Sequence, residues 1–600
     1  MGEKKITGIY FYNPNGLSDS VDFSEVSSHM TKNPDVSVIW NQQDIPLTDH
    51  NKAVSKIKEK NLKRIIIAGN MPGMVKSYFT KVMVAAGNNP EDVILASFRE
   101  NNALTKRDTE RAKAIVTCAV YDIPFEIAAS PGESAVNNET LVIGAGIAGI
   151  QASLEIANAG YKVHLLERTG TIGGHMATFD KTFPTLDCAA CILTPKMVEI
   201  GQHSNINLMT FCEVKNVQGE PGNYKVKILK RTRRVNEATC IGCGICTEKC
   251  PALAPSEFDA QTCMRKAIYI PFPQAVPNKY LVDPDACTYL KNGKCRVCEK
   301  VCPVPDCINL DDKDQEIEIN VGNIIIATGF KVFDAKRDDR FGYGKFPNVV
   351  TSLEFERLVN AAGPTSGNIT FRSKDKKGNA VFLNSGKAPE SVALIHCIGS
   401  RDENYNKYCS KVCCMYSLKL AHLIKEKLPD TDVFEYYIDM RAFGKGYEEF
   451  YERIKNEGIN VVRGKTAKID EKDGKLLIKT EDIHSLKLTE QKVDMVVLSV
   501  GLEPHPSSEE IGKMLGIDQA ADGWFVESNY LSDPVSTYTG GISIAGVCQG
   551  PKDIPDTVAQ ASAAASRVIQ SILKKKINKS IKDISLQEIE KKAKEISTTI

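Results

Sequence analysis

Twelve of the chain's nineteen cysteines fall into three groups whose spacing can do chemistry. Cys240, Cys243, Cys246 and Cys250, followed by Pro251, read C-x2-C-x2-C-x3-C-P, a spacing at which three thiolates wrap one face of a 4Fe–4S cube. Cys287, Cys295, Cys298 and Cys302, followed by Pro303, repeat the pattern with a first gap of seven residues around a turn-like Lys-Asn-Gly. Where two such runs occur together, the fourth cysteine of each ligates the other run's cluster. Cys240, Cys243, Cys246 and Cys302 are therefore expected around one 4Fe–4S cluster, and Cys287, Cys295, Cys298 and Cys250 around a second. Zinc, the rival metal, usually takes separated C-x2-C pairs rather than triple runs ending in Cys-Pro. Cys263 and Cys307 are left over and read as plain thiols. The third group is Cys397, Cys409, Cys413 and Cys414, whose adjacent pair meets no turn requirement. It is expected to hold a third cluster, with buried free thiols as the alternative. Cys188 and Cys191 form a C-x2-C with three open readings: a redox dithiol with a catalytic role, ligands that complete or share a cluster, or structural thiols.

A second set of residues is built for a nucleotide. Gly144, Gly146 and Gly149 make G-x-G-x-x-G directly after an apolar strand start, and Glu167 ends the next strand about twenty residues on. Glycines there allow a tight turn and close backbone approach, so a pyrophosphate can sit at the helix N-terminus, with Glu167 accepting from a ribose hydroxyl. Gly173-Gly174 and Ala327-Thr328-Gly329 join them, and together these motifs specify FAD rather than free NAD. A last strand, GISIAGVCQG, resembles the segment that closes on the flavin in two-dinucleotide-fold flavoproteins. Those usually place Asp after the glycine, whereas Gly546 is followed by Val547 and Cys548, with Lys552 and Asp553 close by.

The elements that must carry these residues alternate strand and helix, so the fold class is α/β: a two-dinucleotide-binding-domain flavoprotein of the thioredoxin-reductase-like kind with an inserted α+β ferredoxin domain. Residues 1–130 read as an N-terminal α/β domain without a cluster, and 136–235 as the first part of the FAD domain. The ferredoxin insert takes 236–312, the FAD domain resumes over 313–385, and 386–500 is a degenerate nucleotide-binding-like domain carrying the third cysteine group. Residues 501–575 complete the FAD domain, and 576–600 form a charged helical tail. A glycine fingerprint for NAD(P)H is missing near 391–402, where the chain reads VALIHCIGSRD. With 76 basic and 75 acidic residues the net charge is +1, which gives no sign of nucleic-acid binding. No apolar run approaches the roughly 20 residues that span a bilayer, and the N-terminus lacks a signal peptide's apolar stretch, so a cytoplasmic protein is expected.

The stretches GGHMATFDKTFPTLDCAACILTPKM, CIGCGICTEKCP, MRKAIYIPFPQAVPNKY and CIGSRDENYNKYCSKVCCMYSLK resemble the A subunit of heterodisulfide reductase over roughly 130–575. That resemblance implies an electron-transfer protein from anaerobic metabolism, in which FAD takes an electron pair and bifurcates it, one branch toward ferredoxin and one toward a disulfide-reducing partner; exposed clusters are expected to make it oxygen-sensitive. It implies a homodimer within a larger complex that contains B and C subunits and a separate electron-donor subunit. Relatives commonly carry N-terminal cysteines for another cluster and a C-terminal ferredoxin-like domain. Here residues 1–117 contain no cysteine and none follows Cys548, so that cluster is expected to be absent and electron entry to differ. The alternative is an NAD(P)H-dependent flavin oxidoreductase without bifurcation.

Overall fold

The computed structural model describes residues 5–13, 21–101, 103, 108–580 and 585–599. They form two compact units, one of Met1–Ala135, Glu527–Gly541 and Lys576–Ile600, the other of Val136–Val526 and Ile542–Lys575.

In the first unit four parallel strands lie in the order Val36–Trp40, Thr7–Tyr12, Arg64–Gly69, Val93–Ser97. Parallel neighbours need crossovers, which the helices Phe23–Thr31, His50–Glu59 and Lys76–Ala85 supply. Side chains alternate across the sheet. Ile9 and Phe11 face a core shared with the helix Thr109–Val120 and with Ile589 and Ala593 of Leu586–Thr599, whereas Tyr10 and Tyr12 face Ile57, Phe79 and Val82. Burial on both faces is why TGIYFY and RIIIAG read as unbroken apolar runs. Cys118 lies in this unit, where burial pushes its thiol up to about 12.

The second unit holds two parallel sheets. The first has the order Ile542–Ile544, Asn323–Ile326, Thr140–Ile143, Val163–Glu167, Ile206–Thr210. Asn323–Ile326 pairs with Thr140–Ile143 on one side and Ile542–Ile544 on the other, so segments far apart in the chain build one sheet. The cysteine-rich part of what intervenes leaves through one opening. Asn223–Lys230 runs antiparallel to Gln315–Val321 with Lys230 opposite Gln315, so residues 231–314 depart and return at adjacent points. The cysteine-rich insert therefore hangs on a hairpin without disturbing the sheet. The second sheet, seven-stranded, begins Val349–Thr351, Met495–Val500, Ser391–Ile398, Asp432–Tyr437, all parallel, and ends in an antiparallel meander over 460–493. The helix Cys413–Lys427 packs into its core through Met415, Leu418, Ala421 and Ile424. No helix of the described residues is long and apolar enough to cross a membrane.

At the neck of the insert, the buried Arg233 guanidinium donates to Thr210 Oγ1 at 2.8 Å, to Lys279 O at 3.3 Å and to Gly170 O, and Glu237 lies 2.8 Å from its Nε. Hydrogen bonds to a charged group contribute about 1.5–3 kcal/mol. Arg233→Met is expected to loosen the insert selectively. Hydrogen exchange should quicken over 231–314 and stay unchanged in the strands Thr140–Ile143 and Asn323–Ile326; equal loss of protection in both would contradict this anchoring role.

Candidate functional site

A cavity of ≈ 830 Å³ opens at the carboxyl ends of the first sheet's strands. Gly144, Gly146, Glu167, Gly174, Ala327, Thr328, Gly329, Lys552 and Asp553 all line it. Its floor depends on missing side chains: a Cβ on Gly144 would stand 2.4 Å from Ala327 O, one on Gly149 1.8 Å from Gly144 O, and one on Gly174 2.9 Å from Gly146 Cα. Gly149 thus lets the helix Ile147–Asn158 press against the turn, and its amino end faces the cavity. The Glu167 carboxylate ties the turn together, accepting from Ala145 N at 2.9 Å and Thr169 N at 2.8 Å. Thr328 Oγ1 is buried without a hydrogen-bond partner. Gly173 and Gly546 stand behind the wall, both with left-handed backbone, φ 119° and 77°. A Cβ on Gly546 would come within 2.8 Å of Ala148 Cβ. Lys552 Nζ donates to Gly546 O, Gln549 Oε1 and Gly550 O at 2.8–2.9 Å. Asp553 caps the helix Ile554–Lys574 and accepts from Tyr447 Oη.

Several groups in the lining, or packed directly behind it, have no motif to mark them in the sequence. Lys419 and Glu356 form a buried ion pair, with Nζ 2.7–2.8 Å from both carboxylate oxygens, and Lys419 also donates to Lys181 O. The only signal is a lone lysine within the apolar run of the helix Cys413–Lys427. Arg357, 1% exposed, donates to Thr178 O at 2.8 Å and to Asp259 Oδ1 at 3.1 Å, and lies over the Phe258 ring. Phe258, Arg265, Tyr269 and Phe272 belong to the cysteine-rich insert, yet line the same cavity as the glycine turn. Two imidazoles lie in the wall: burial pushes His175 below its usual value and takes His505, beside Arg168, down to about 4.

The insert surrounds two smaller cavities. Cys240, Cys243, Cys246 and Cys302 line one, and Cys250, Cys287, Cys295 and Cys298 the other, so each run's last cysteine stands with the opposite run. Cys307 lines the first cavity as well. Burial pushes the Cys246 thiol up to about 12 and Cys298 up to about 11. Among the described residues no three His, Cys, Asp or Glu are grouped to hold a single metal ion. A four-iron cube, larger than one ion, takes its thiolates at separate corners.

Cys397, Cys409, Cys413 and Cys414 converge where the strand Ser391–Ile398 meets the helix Cys413–Lys427. Burial, with Cys414 and Cys409 nearby, raises Cys397 to about 12; burial raises Cys413 too, with Cys397 and Cys414 beside it. Against the same effect of burial, His396 holds the Cys414 thiol below its usual value, and Glu435 backs that imidazole at 2.7 Å. Cys397 and Cys295 both carry left-handed backbone, φ 60° and 116°. Non-glycine residues keep that conformation where their surroundings over-determine it, which is common at functional sites. Cys188 and Cys191 are joined as a disulfide at the start of the helix Ala189–Gln202 and are both exposed. They do not line the large cavity, although residues 181–183 of the adjoining loop do.

Strand, glycine turn, helix and a carboxylate closing the next strand, set beside a ferredoxin-type insert, define an α/β oxidoreductase of the two-dinucleotide-domain class. Residues 142–202 match the NAD(P)-binding Rossmann-like domain family and residues 233–256 the 4Fe-4S binding domain family. The chain is 43% identical over 563 residues to the A subunit of the H(2):CoB-CoM heterodisulfide,ferredoxin reductase of Methanothermobacter thermautotrophicus, covering 92% of this chain and 83% of the relative. It is 44% identical over 527 residues to the iron-sulfur A subunit of the CoB--CoM heterodisulfide reductase of Methanocaldococcus jannaschii, covering 85% and 77%. Thioredoxin reductase of Lactococcus lactis aligns over 73% of this chain and 100% of its own, at 14% identity and a TM-score of 0.39. The chain belongs to the family of heterodisulfide reductase A subunits.

Two outcomes follow from this geometry. Lys419→Met leaves Glu356 as a buried, unpaired charge and is expected to cost about 3–5 kcal/mol, much of it recovered in Lys419→Met with Glu356→Gln; denaturant unfolding of the single and double variants checks the coupling. His505 is held near 4 in the fold against an ordinary 6.5, so the unfolded chain binds the extra proton between those values. Stability is therefore complete above about pH 6.5 and falls as pH drops toward 4. The thermal midpoint of His505→Gln should show a shallower acid slope than wild type.

Proposed function

We propose that this chain is the FAD- and 4Fe–4S-carrying electron-transfer subunit of a heterodisulfide-reductase-like complex. One observation carries the reading: the cavity built by the glycine turn is walled on its other side by the cysteine-rich insert, through Phe258, Tyr269 and Phe272. A dinucleotide held by the turn would lie against the module that holds the clusters. The residues fit FAD. Gly144, Gly146 and Gly174 leave room for a pyrophosphate at the start of Ile147–Asn158, Glu167 has carboxylate oxygens for a ribose, and the unpartnered Thr328 hydroxyl is available to the ligand. Lys552 and Asp553, with Gly546, would close the far end.

Bound FAD exchanges electrons in pairs or singly, and 4Fe–4S clusters one at a time. The chain's own work is to position and to tune. Lys419, pinned by Glu356, presents a fixed cation to the cavity, and His175 and His505 remain neutral hydrogen-bonding groups there at neutral pH. Cys240, Cys243, Cys246 and Cys302 would hold one cluster and Cys250, Cys287, Cys295 and Cys298 another. Cys397, Cys409, Cys413 and Cys414 would hold a third, where an NAD(P)H-dependent flavin reductase would carry its second glycine fingerprint; that position favours electron transfer through clusters over the nicotinamide reading. The name of the Methanothermobacter thermautotrophicus relative pairs CoB-CoM heterodisulfide with ferredoxin, which supports ferredoxin and a disulfide-reducing partner as the two electron destinations; a donor subunit, B and C subunits and bifurcation at the flavin complete the proposal. The Cys188–Cys191 pair, bonded and exposed at a helix start, would serve as a redox dithiol.

Metal and flavin analysis of anaerobically purified protein, with EPR during stepwise reduction, tests the assignment. About twelve irons and one FAD per chain are expected, four irons for each of three clusters. About eight irons would restrict the clusters to the insert and make Cys397, Cys409, Cys413 and Cys414 a thiol site; no flavin and no reducible iron would overturn the whole reading.

A further inference from the structure

Two lysines of the insert reach back to the peptide groups of cysteines assigned to different clusters. Lys266 closes the short strand Met264–Lys266, which pairs with Leu253–Pro255 immediately after the first cysteine run, and its Nζ donates to Cys250 O at 2.6 Å. Lys279 lies on the segment leading into the strand Leu281–Val282, and its Nζ donates to Cys240 O at 2.5 Å. Both side chains are half-buried, and among the described residues neither ammonium forms an ion pair with a carboxylate. The insert's neighbouring arginines contrast with them. Arg265 is held by Glu257 and Asp283 at 2.7–2.8 Å, Arg296 by Glu299 and Asp311, and Arg233 by Glu237. Those three charges are compensated, whereas the two lysine charges are directed at cysteine carbonyls.

The crossing of the cysteine runs gives the arrangement its meaning. Cys240 lines one cavity with Cys243, Cys246 and Cys302, whereas Cys250, from the same run, lines the other with Cys287, Cys295 and Cys298. One cysteine of each cavity thus has a lysine ammonium hydrogen-bonded to its backbone carbonyl. An electron added to a cluster adds negative charge, and a fixed cation nearby, in a setting less polar than water, favours the reduced form. Hydrogen bonds and net charge around a cluster are among the main protein controls on its potential.

We propose that Lys266 and Lys279 are positioning residues that raise the reduction potentials of the two insert clusters independently, Lys279 acting on the cluster of Cys240, Cys243, Cys246 and Cys302, and Lys266 on that of Cys250, Cys287, Cys295 and Cys298. The inference rests on the reading that the insert carries these two clusters. One lysine per cluster lets the two steps of an electron path be set separately, although both clusters are built from the same pair of cysteine runs.

The test is an anaerobic redox titration of the full-length holoprotein followed by EPR, with iron content measured on each sample and the two insert signals assigned through Cys243→Ser and Cys295→Ser. Lys279→Met should move the midpoint of one signal to lower potential and leave the other in place. Lys266→Met should do the reverse, the double variant should lower both, and each Lys→Arg variant should return its signal toward the wild-type value. Where a Met variant loses iron, Lys→Gln keeps an N–H donor without the charge and is read in the same way. Full iron content with both midpoints unmoved, or with both moved equally by either variant, overturns the proposal while the cluster assignment stands. Wild-type protein with no pair of insert signals overturns the cluster assignment and the proposal with it.

Discussion

The second unit depends on the pairing of Asn323–Ile326 between Thr140–Ile143 and Ile542–Ile544. Ile324, Ile325 and Ile326 are wholly buried and have parallel neighbours on both sides, so this strand cannot shift register without moving apolar side chains from one packed face to the other. Its carboxyl end delivers Ala327, Thr328 and Gly329 to the same cavity as Gly144 and Gly146, and Ala327 O stands where any side chain on Gly144 would have to go. One strand pairing thus joins chain segments hundreds of residues apart and shapes the nucleotide turn.

That constraint governs how the insert is carried. A module placed inside this domain has to leave and re-enter at neighbouring points, and the antiparallel pairing of Lys230 with Gln315 provides them. Arg233 holds the neck, while Arg357 ties Asp259 of the insert to Thr178 in the lining of the large cavity. Both guanidiniums are buried and use carbonyl acceptors from the domain the insert must meet. The insert is therefore held at two points against the cavity wall, which is what electron exchange over a short distance demands of it.

Much of this was legible in the chain itself. The G-x-G-x-x-G turn, the acidic residue after the second strand and the C-x2-C-x2-C-x3-C-P run are local patterns, because the turn, the helix start and the wrapping of a cluster face are all made by consecutive residues. Alternation of strands and helices gave the α/β class for the same reason. Contacts made across the fold were not legible. The Lys419–Glu356 pair joins residues 63 apart, Arg357 meets Asp259 across 98, and nothing in either residue's immediate neighbours announces the partner. Lys266 and Lys279 were equally silent, since a lysine that donates to a carbonyl looks in sequence like any solvated lysine. The Cys188–Cys191 spacing admitted three readings, and the exposure of both sulfurs and their bond emerge only in three dimensions.

The central claim is that a flavin in the glycine-lined cavity and the clusters of the insert exchange electrons within this one chain. The most direct measurement is a substoichiometric addition of titanium(III) citrate to the anaerobic holoprotein, with flavin absorbance and freeze-quenched EPR followed over the same time course. Electrons are expected to distribute between clusters and flavin, with EPR signals decaying as the flavin bleaches until both reach a common equilibrium. Clusters that fill and stay reduced beside a flavin of sufficient potential that remains oxidised would contradict it.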